Sequence, residues 1–556
     1  MKKWTSYTIL GFFVVILVST PLSAGTYSGG SGIDIDPFII SEPNDWTELM
    51  NTSGDWGSCF SVGDDIDLAG RTVTPIGNSS TAFSGSFEGN NNTISNVTIS
   101  QSANYAGLFG NVSSTGVVQN LSVVNGDIAG GYYTGGIVGT NNGTVTNCRY
   151  EGSIDASNYV GGLIGYNYGN VTGCSVCVSV VCVWYGGGLI GWNGSGDVTS
   201  CDVECSLTVD RDCGGGLIGK MTGGSVSNCT ADFVIIGSGT YTGGLVGKNE
   251  NGGEISDCSV MGEILQGGKY TGGLIGWNQG EDSDVTNCYA KAEVNAVSTH
   301  VGGLIGYNLY GTLTNCFAVG GVTGTGYVGG LVGYNSDGHT ITCYAAGSVD
   351  TGGGDYAGGL VGYHYGYNKA GSISNCYAVG EINAGNYVGG LVGYNRYGRI
   401  YDSYTAGVAT TTGSNVGSFC GYQHGSASVM QNCFWEGTGV GYTVNSSYPG
   451  TITNVMGLTS GEIRQEASFT SYGWDFASVW WINEGRDYPK LAYQPWGDVD
   501  NDCFVGLSDV AVLSCTWLAS DGDANYNSVC ELSGDTTVDD DDLAEMVSMW
   551  LEGPAW

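Results

Sequence analysis

The chain has 556 residues, of which 99 are Gly and only 12% are charged, while 41% are hydrophobic. A disordered Gly-rich linker would lack the large side chains held here, and collagen would need Gly at every third position and many more than eight Pro. Fifty-two carboxylates against fifteen Lys and Arg give a formal charge of −37, which repels polyanions and excludes nucleic acid and anionic lipid as partners.

Lys2 and Lys3 precede an apolar run from Ile9 to Val18, and Leu22-Ser23-Ala24 offers small residues for cleavage. Residues 1–24 therefore read as a signal peptide. The run is shorter than the ~20 residues of a spanning helix, and no later segment is longer and as apolar. A secreted, extracellular or cell-surface protein with no membrane span is expected. Residues 25–100 are strand-and-turn sequence, such as Thr93-Ile94-Ser95-Asn96-Val97-Thr98-Ile99, and read as an N-terminal cap.

From residue 101 to 433 one phrase recurs: aromatic-x-Gly-Gly-[Leu/Ile]-[Val/Ile]-Gly. Its last Gly falls at Gly110, Gly139, Gly165, Gly191, Gly219, Gly247, Gly276, Gly306, Gly333, Gly362, Gly393 and Gly421, a steady period of about 28 residues. Most copies continue with an aromatic residue or Lys and then Asn, as in Tyr166-Asn167 and Trp277-Asn278. The runs between Gly clusters are short and rich in Val, Ile, Thr and Tyr, which suits strands and leaves helices no room. One such unit cannot bury its own apolar face, but stacked units can. The fold predicted is all-β, a parallel β-solenoid (β-helix) of about twelve coils with terminal caps, with Leu163, Leu245, Leu274, Leu331 and Leu391 stacked inside. At ~4.8 Å per rung the rod would be ~55 Å long. Stacking also accounts for the few charges, since a repeated charge would face its like on the next coil. The Asn after the aromatic residue suits a turn, because Asn tolerates the left-handed conformation.

Phrases such as Tyr327-Val328-Gly329-Gly330-Leu331-Val332-Gly333-Tyr334-Asn335 resemble the GLUG repeat. That family occurs in large exported and surface proteins, so the resemblance implies an extracellular scaffold and no particular chemistry. The aromatic residues after the final Gly, above all Trp277, Tyr307, Tyr334, Tyr363, Tyr394 and Tyr422, should align into one column. Rings in line suit the faces of an extended polysaccharide; mutual stacking over the strand backbone is the alternative. Ten of the nineteen Cys hold one repeat position, from Cys148 to Cys433, with Ser403 in the eleventh unit. A ladder of free buried thiols is the reading preferred over bridges between coils.

Residues 434–495 are aromatic-dense, as in Gly473-Trp474-Asp475-Phe476 and Val479-Trp480-Trp481-Ile482, and read as a C-terminal cap over the end coils. From Gly497 onward there are 14 Asp and Glu and no Lys or Arg. Asp498, Asp500, Asp502 and Asp509 hold positions one, three, five and twelve of a calcium loop, with Phe504 at seven, where the ligand is a backbone carbonyl. A second set is Glu531, Ser533, Asp535, Thr537, Asp539 and Asp542, and an apolar helical stretch follows each loop. Residues 496–556 resemble the type I dockerin, a duplicated loop-and-helix module. The resemblance implies calcium as cofactor and a cohesin-like protein as partner.

An enzyme is not expected. There is no His-Glu-x-x-His and no nucleophile elbow, and the four His are scattered. The function expected is an exported, non-catalytic scaffold or adhesin with a calcium-dependent attachment module and a glycan-binding surface. The alternative is a polysaccharide-degrading β-helix enzyme carrying the same module.

Overall fold

The computed structural model describes residues 25–495 except 101–103, 369–370, 412 and 445, and beyond them 498, 502, 504–515, 530, 532, 537–539, 542–544 and 546. The signal peptide read over 1–24 lies outside the described residues.

The chain winds into a parallel β-solenoid of about 13 turns. Each Gly-phrase strand pairs in parallel with its counterpart one coil away, so that Ile164, Ile190, Ile218, Val246 and Ile275 form one inward row. Thirteen such strands, from Phe109–Val112 to Tyr442–Val444, make one face. Leu163, Leu245, Leu274, Leu331 and Leu391 are wholly buried, each contributing roughly 1.5–3 kcal/mol of burial. The coils begin ahead of the Gly phrase. Phe38–Ile40, Cys59–Val62 and Ser86–Glu88 already pair in parallel and lead into Val117–Gln119, because inward rows such as Phe60, Phe87 and Val118 are enough to build a rung.

The phrase itself serves close packing. A Cβ at Gly162 would stand 2.0 Å from the carbonyl oxygen of Gly188, one coil on. No side chain fits there. The left-handed corners lie elsewhere, at the residue before each ladder Cys: Asn147 (φ 51°), Asn228 (52°), Asn287 (54°) and Asn375 (53°). The Asn after the aromatic residue is thus not the turn residue that its type suggested. It lies at the end of a strand or one residue before it, points inward, and is wholly buried at Asn167, Asn249, Asn278, Asn308 and Asn335. Each of these amides donates one hydrogen to a loop carbonyl nearby, as Asn308 Nδ2 does to Gly311 O at 2.8 Å, and one to the next rung, which is Asn335 Oδ1 at 2.9 Å for Asn308 and His364 Nδ1 for Asn335. Buried polar groups are mostly satisfied in this way, the exceptions in the ladder being Asn249 Oδ1 and Asn395 Oδ1, which follow Met221 and His364 and receive no donor. His364 takes one rung of the amide ladder and Met221 interrupts it.

From Cys59 to Cys433 the cysteines are free. At the ladder position each thiol donates to the carbonyl two residues back, as from Cys258 to Ser256 O at 3.0 Å. The Ser403 hydroxyl makes the same bond to Tyr401 O at 2.6 Å, so one small donor serves every coil. Cys182, Cys205 and Cys420 fill other inward positions, and burial pushes their thiols up to about 12.

The two ends differ. At the first, the helix Pro43–Asn51 covers the core, with Trp46 against Phe87 and Phe109 at 5.8 and 6.5 Å. Asp45 Oδ2 accepts the backbone N–H groups of Ser41 and Glu42 at 2.9 and 3.1 Å, holding the entry to that helix. At the second end, residues 459–495 cover only the end of the last strand, where Leu458 is buried and Met456 packs against them. They run along the flank, across a ladder of Phe317, Tyr344, Tyr377, Tyr404 and Phe434, all buried beneath Phe469, Trp474, Trp480 and Leu491.

Candidate functional site

Two aromatic columns lie side by side on one face. The first holds the residues after the final Gly. Trp277, Tyr307, Tyr334, Tyr363 and Tyr394 stack with centroids 4.3, 5.1, 4.7 and 4.8 Å apart, each pair within 17° of parallel. Tyr394 and Tyr422 follow at 5.3 Å and 40°. The second column holds the residue that opens each phrase, with Tyr327–Tyr356 at 4.9 Å and Tyr356–Tyr387 at 4.8 Å. These opening residues have φ of 50°, 65° and 59° at Tyr327, Tyr356 and Tyr387, a conformation that bulky side chains rarely adopt. Stacking along the column and edge contacts to the first column, as Tyr327 to Tyr363 at 5.5 Å, hold them there. Because neighbouring rings cover one another, the band offers solvent ring edges and hydroxyls.

The band is interrupted once by charge. Lys220 and Lys248 stand on successive rungs between Trp192 and Trp277, and Cys213 replaces the ring of the second column. The Lys220 ammonium lies 4.6 Å from the Trp192 ring centre, and that of Lys248 lies 4.6 Å from Tyr241. Glu250 accepts hydrogen bonds from both lysines, at 3.1 Å from Lys220 and more closely from Lys248. Burial pulls the Glu250 carboxyl upward, but the two lysines outweigh it and hold the group below its usual range.

Of the residues read as calcium ligands, Asp498, Asp509 and Asp542 are wholly buried. Asp509 Oδ2 accepts the N–H of Gly506, and Asp542 Oδ2 accepts that of Asp539, both at 2.8 Å, so the twelfth residue of each loop receives the N–H three residues earlier. Asp542 also accepts the N–H of Leu532. Asp502 Oδ1 accepts the N–H of Phe504 at 2.9 Å, and its Oδ2 pairs with Lys291 on the solenoid flank at 2.9 Å. The ring of Phe504 packs on that ammonium at 3.8 Å and against Tyr289 at 5.4 Å. Thr537 joins an isolated bridge beside buried Val538. Helices follow at Leu507–Cys515 and from Asp542. Asp500, Glu531, Ser533 and Asp535 lie outside the described residues.

A family model for the GLUG motif matches residues 238–264, 267–295, 297–323 and 353–383. Four of the coils are GLUG repeats. Halomucin from Haloquadratum walsbyi is 32% identical over 140 residues, which are 23% of this chain and 2% of halomucin. A protein described as a Gly-rich membrane protein from Evansella cellulosilytica is 31% identical over 173 residues, 28% of this chain and 19% of that protein. The chain thus spans a small part of either curated relative. A solved structure described as a candidate immunoglobulin A1 protease from Bacteroides ovatus aligns over 84% of this chain and 96% of its own, at 16% identity and a TM-score of 0.21.

One groove of about 500 Å³ crosses the rod ahead of the matched repeats, over Glu151, Cys177, Glu204 and Asp232 on successive coils. Glu204 and Asp232 face each other directly in the strand register. Arg149 pairs with Glu151 at 3.0 Å, and no histidine lines the groove. Burial and then the carboxylate of Glu204 raise the Cys177 thiol, which is the wrong direction for a nucleophile. Among the described residues no helix is long and apolar enough to cross a membrane.

Sequence reasoning missed the flank ladder. Its signal is the residue after each ladder Cys, which is Arg149, Ser175, Asp202, Thr230 and Ser259 in early coils and turns aromatic from Tyr289 through Phe317, Tyr344, Tyr377, Tyr404 and Phe434.

Proposed function

We propose that this is an exported, non-catalytic surface scaffold whose aromatic band holds an extended polysaccharide and whose C-terminal loops bind calcium for attachment. The observation that carries the reading is the long, regular double column of rings, a repeated binding surface for a repeated ligand. Its edges and phenol hydroxyls suit hydrogen bonding along a glycan better than flat stacking of sugar on ring. The names of the relatives, halomucin and a Gly-rich membrane protein, are in keeping with a repeat-rich surface protein.

Calcium fits the donor set, since buried carboxylates in an Asp-rich loop are hard oxygen ligands. Asp498, Asp500, Asp502, Asp509 and the Phe504 carbonyl would hold one ion, and Glu531, Ser533, Asp535, Asp539, Asp542 and the Thr537 carbonyl a second. The bound ion would supply charge neutralisation that orders the loops. A cohesin-like protein is the partner that the module's resemblance suggests.

Two measurements test this. Replacing Tyr307, Tyr334 and Tyr363 with Ala should weaken retention on an insoluble polysaccharide severalfold while the circular dichroism of the strands stays unchanged; equal retention removes the glycan reading. Calorimetry of the full chain should show calcium-dependent heat that Asp498→Ala with Asp509→Ala reduces to the second site's share. No heat at all removes the calcium reading. The groove over Glu204 and Asp232 favours the second reading, a polysaccharide-degrading enzyme. Release of reducing ends by the native chain, abolished by Glu204→Gln, would establish that reading.

A further inference from the structure

The two ends of the rod are built differently, and one of them is open. The first strand, Phe38–Ile40, is bridged on its outer side by Gly29: the Ile39 N–H donates to Gly29 O at 2.8 Å, and the Ser28 N–H donates to Ile39 O at 3.2 Å. The helix Pro43–Asn51 then covers the core beside it. Among the described residues the last strands have no such helix or bridging segment over their edge. Thr451–Leu458 pairs with Val429–Glu436, and Tyr442–Val444 pairs with Cys420–His424; among the described residues neither has a strand on its other side.

The described residues that follow are committed to the flank and touch the last strand at its far end, where Leu458 is buried and Tyr472 donates to Met456 Sδ at 3.7 Å. Tyr404 donates to Pro489 O at 2.6 Å, Tyr377 to Gln494 Oε1 at 2.8 Å, and Tyr493 reaches back to Thr342 O at 3.2 Å. One coil inside the end, Met430 and Cys433 are wholly buried. Their partners in the last rung, Ile452 and Val455, pack on the same core but remain partly exposed. An open backbone edge therefore adjoins an open cross-section of the core.

We infer that this end is an interface between two copies of the chain, joined C-terminal end to C-terminal end through Thr451–Leu458. An unpaired edge with no charge and no Pro is a template for another strand. Residues 450–458 contain neither, and residues 437–458 contain no Asp, Glu, Lys or Arg. In a chain of charge −37, this edge brings two copies together without carboxylates facing each other in the paired strands. A charged partner would find nothing there to pair with. Head-to-tail stacking is blocked, because the opposite end is closed by its helix. The remaining arrangement is two-fold: the same strand from each copy pairs with itself in antiparallel fashion, and the Ile452 and Val455 rows of both copies are buried together. Such a contact closes on itself and produces a dimer, not a filament.

Sedimentation velocity of the full chain over a hundredfold concentration range should show the mass doubling. Small-angle scattering should show the longest dimension approaching twice that of the single rod. Thr451 and Thr453 are exposed on the edge strand, so Thr451→Lys with Thr453→Lys should leave the fold intact, place like charges across the axis and keep the chain monomeric. Mixing that variant with Thr451→Glu/Thr453→Glu should restore the doubled mass. Thr172→Lys, exposed on a mid-rod strand, should change nothing. A native chain that stays monomeric at every concentration overturns the inference. So does a dimer that survives the Lys pair, or one no longer than a single rod.

Discussion

His364 occupies a rung where five neighbouring coils have Asn, and its surroundings dictate its protonation. Gly371 O lies 3.1 Å from Nε2, and a carbonyl can only accept, so Nε2 carries the proton. Nδ1 then accepts from Asn335 Nδ2 at 3.3 Å. A second proton would remove that acceptor. Burial lowers the imidazole from its ordinary 6.5 to about 4, so the unfolded state binds more protons than the folded state between those values. Stability therefore falls as pH is lowered from about 6.5 to about 4 and returns as pH rises, by about 3 kcal/mol. His300, also lowered by burial to about 4, acts in the same direction. We expect His364→Asn to restore the amide ladder. In denaturant unfolding at pH 7 and pH 4.5, the variant should lose clearly less stability on acidification than the native chain. An unchanged acid loss would mean that His364 is solvated.

Among the elements, the flank strap shows how side chains far apart in sequence choose one another. Tyr289, Phe317, Tyr344, Tyr377 and Tyr404 stack 4.8–5.1 Å apart and within 11° of parallel. The strap supplies the lid, with Trp474 and Trp480 stacked at 4.7 Å and the Trp480 ring 6.0 Å from that of Tyr404. Tyr377→Ala should remove a buried ring and its bond to Gln494, costing about 3–5 kcal/mol. The loss falls on strap docking more than on the coils. Limited proteolysis should then cut within 459–495 while the solenoid stays whole. Tyr377→Phe, which loses only the hydrogen bond, should cost about 1 kcal/mol and keep the strap protected. Equal protection in both variants would show that the strap is held elsewhere.

At the scale of the molecule, periodicity made the coil legible. A phrase recurring with inward aliphatic rows leaves parallel stacking as the only way to bury Leu163 and its equivalents, and the ladder of free buried thiols followed from one small residue per rung. The early coils were harder to read, since Phe60 and Phe87 build rungs without the Gly phrase. The buried amides were misplaced because Asn is both a turn residue and a ladder residue. Only the coil's cross-section shows which Asn points inward. The rarity of charge came from stacking, yet Glu204 faces Asp232 and Glu263 faces Glu293 in register, so the rule is a tendency that long side chains escape at the surface. The aromatic column was foreseen as a line. Mutual stacking of its rings was the alternative to a glycan face, and the structure shows that stacking, because the rung spacing matches the thickness of stacked rings.

The strap also divides the rod by how freely its length can drift. Ahead of Tyr289 the described coils pack on their neighbours, apart from Phe504, which shares a pocket with Thr230 and Ser259, so a unit gained or lost by recombination well ahead of these shifts everything beyond it by one rung and disturbs few distant contacts. Between Tyr289 and Phe434 the same event would move half the flank ladder out from under Trp474, Trp480 and Tyr493. Lineages of this protein should therefore differ in the number of coils on the near side of Tyr289 and keep a fixed number beyond it, with the strap serving as a molecular ruler for one half of the gene.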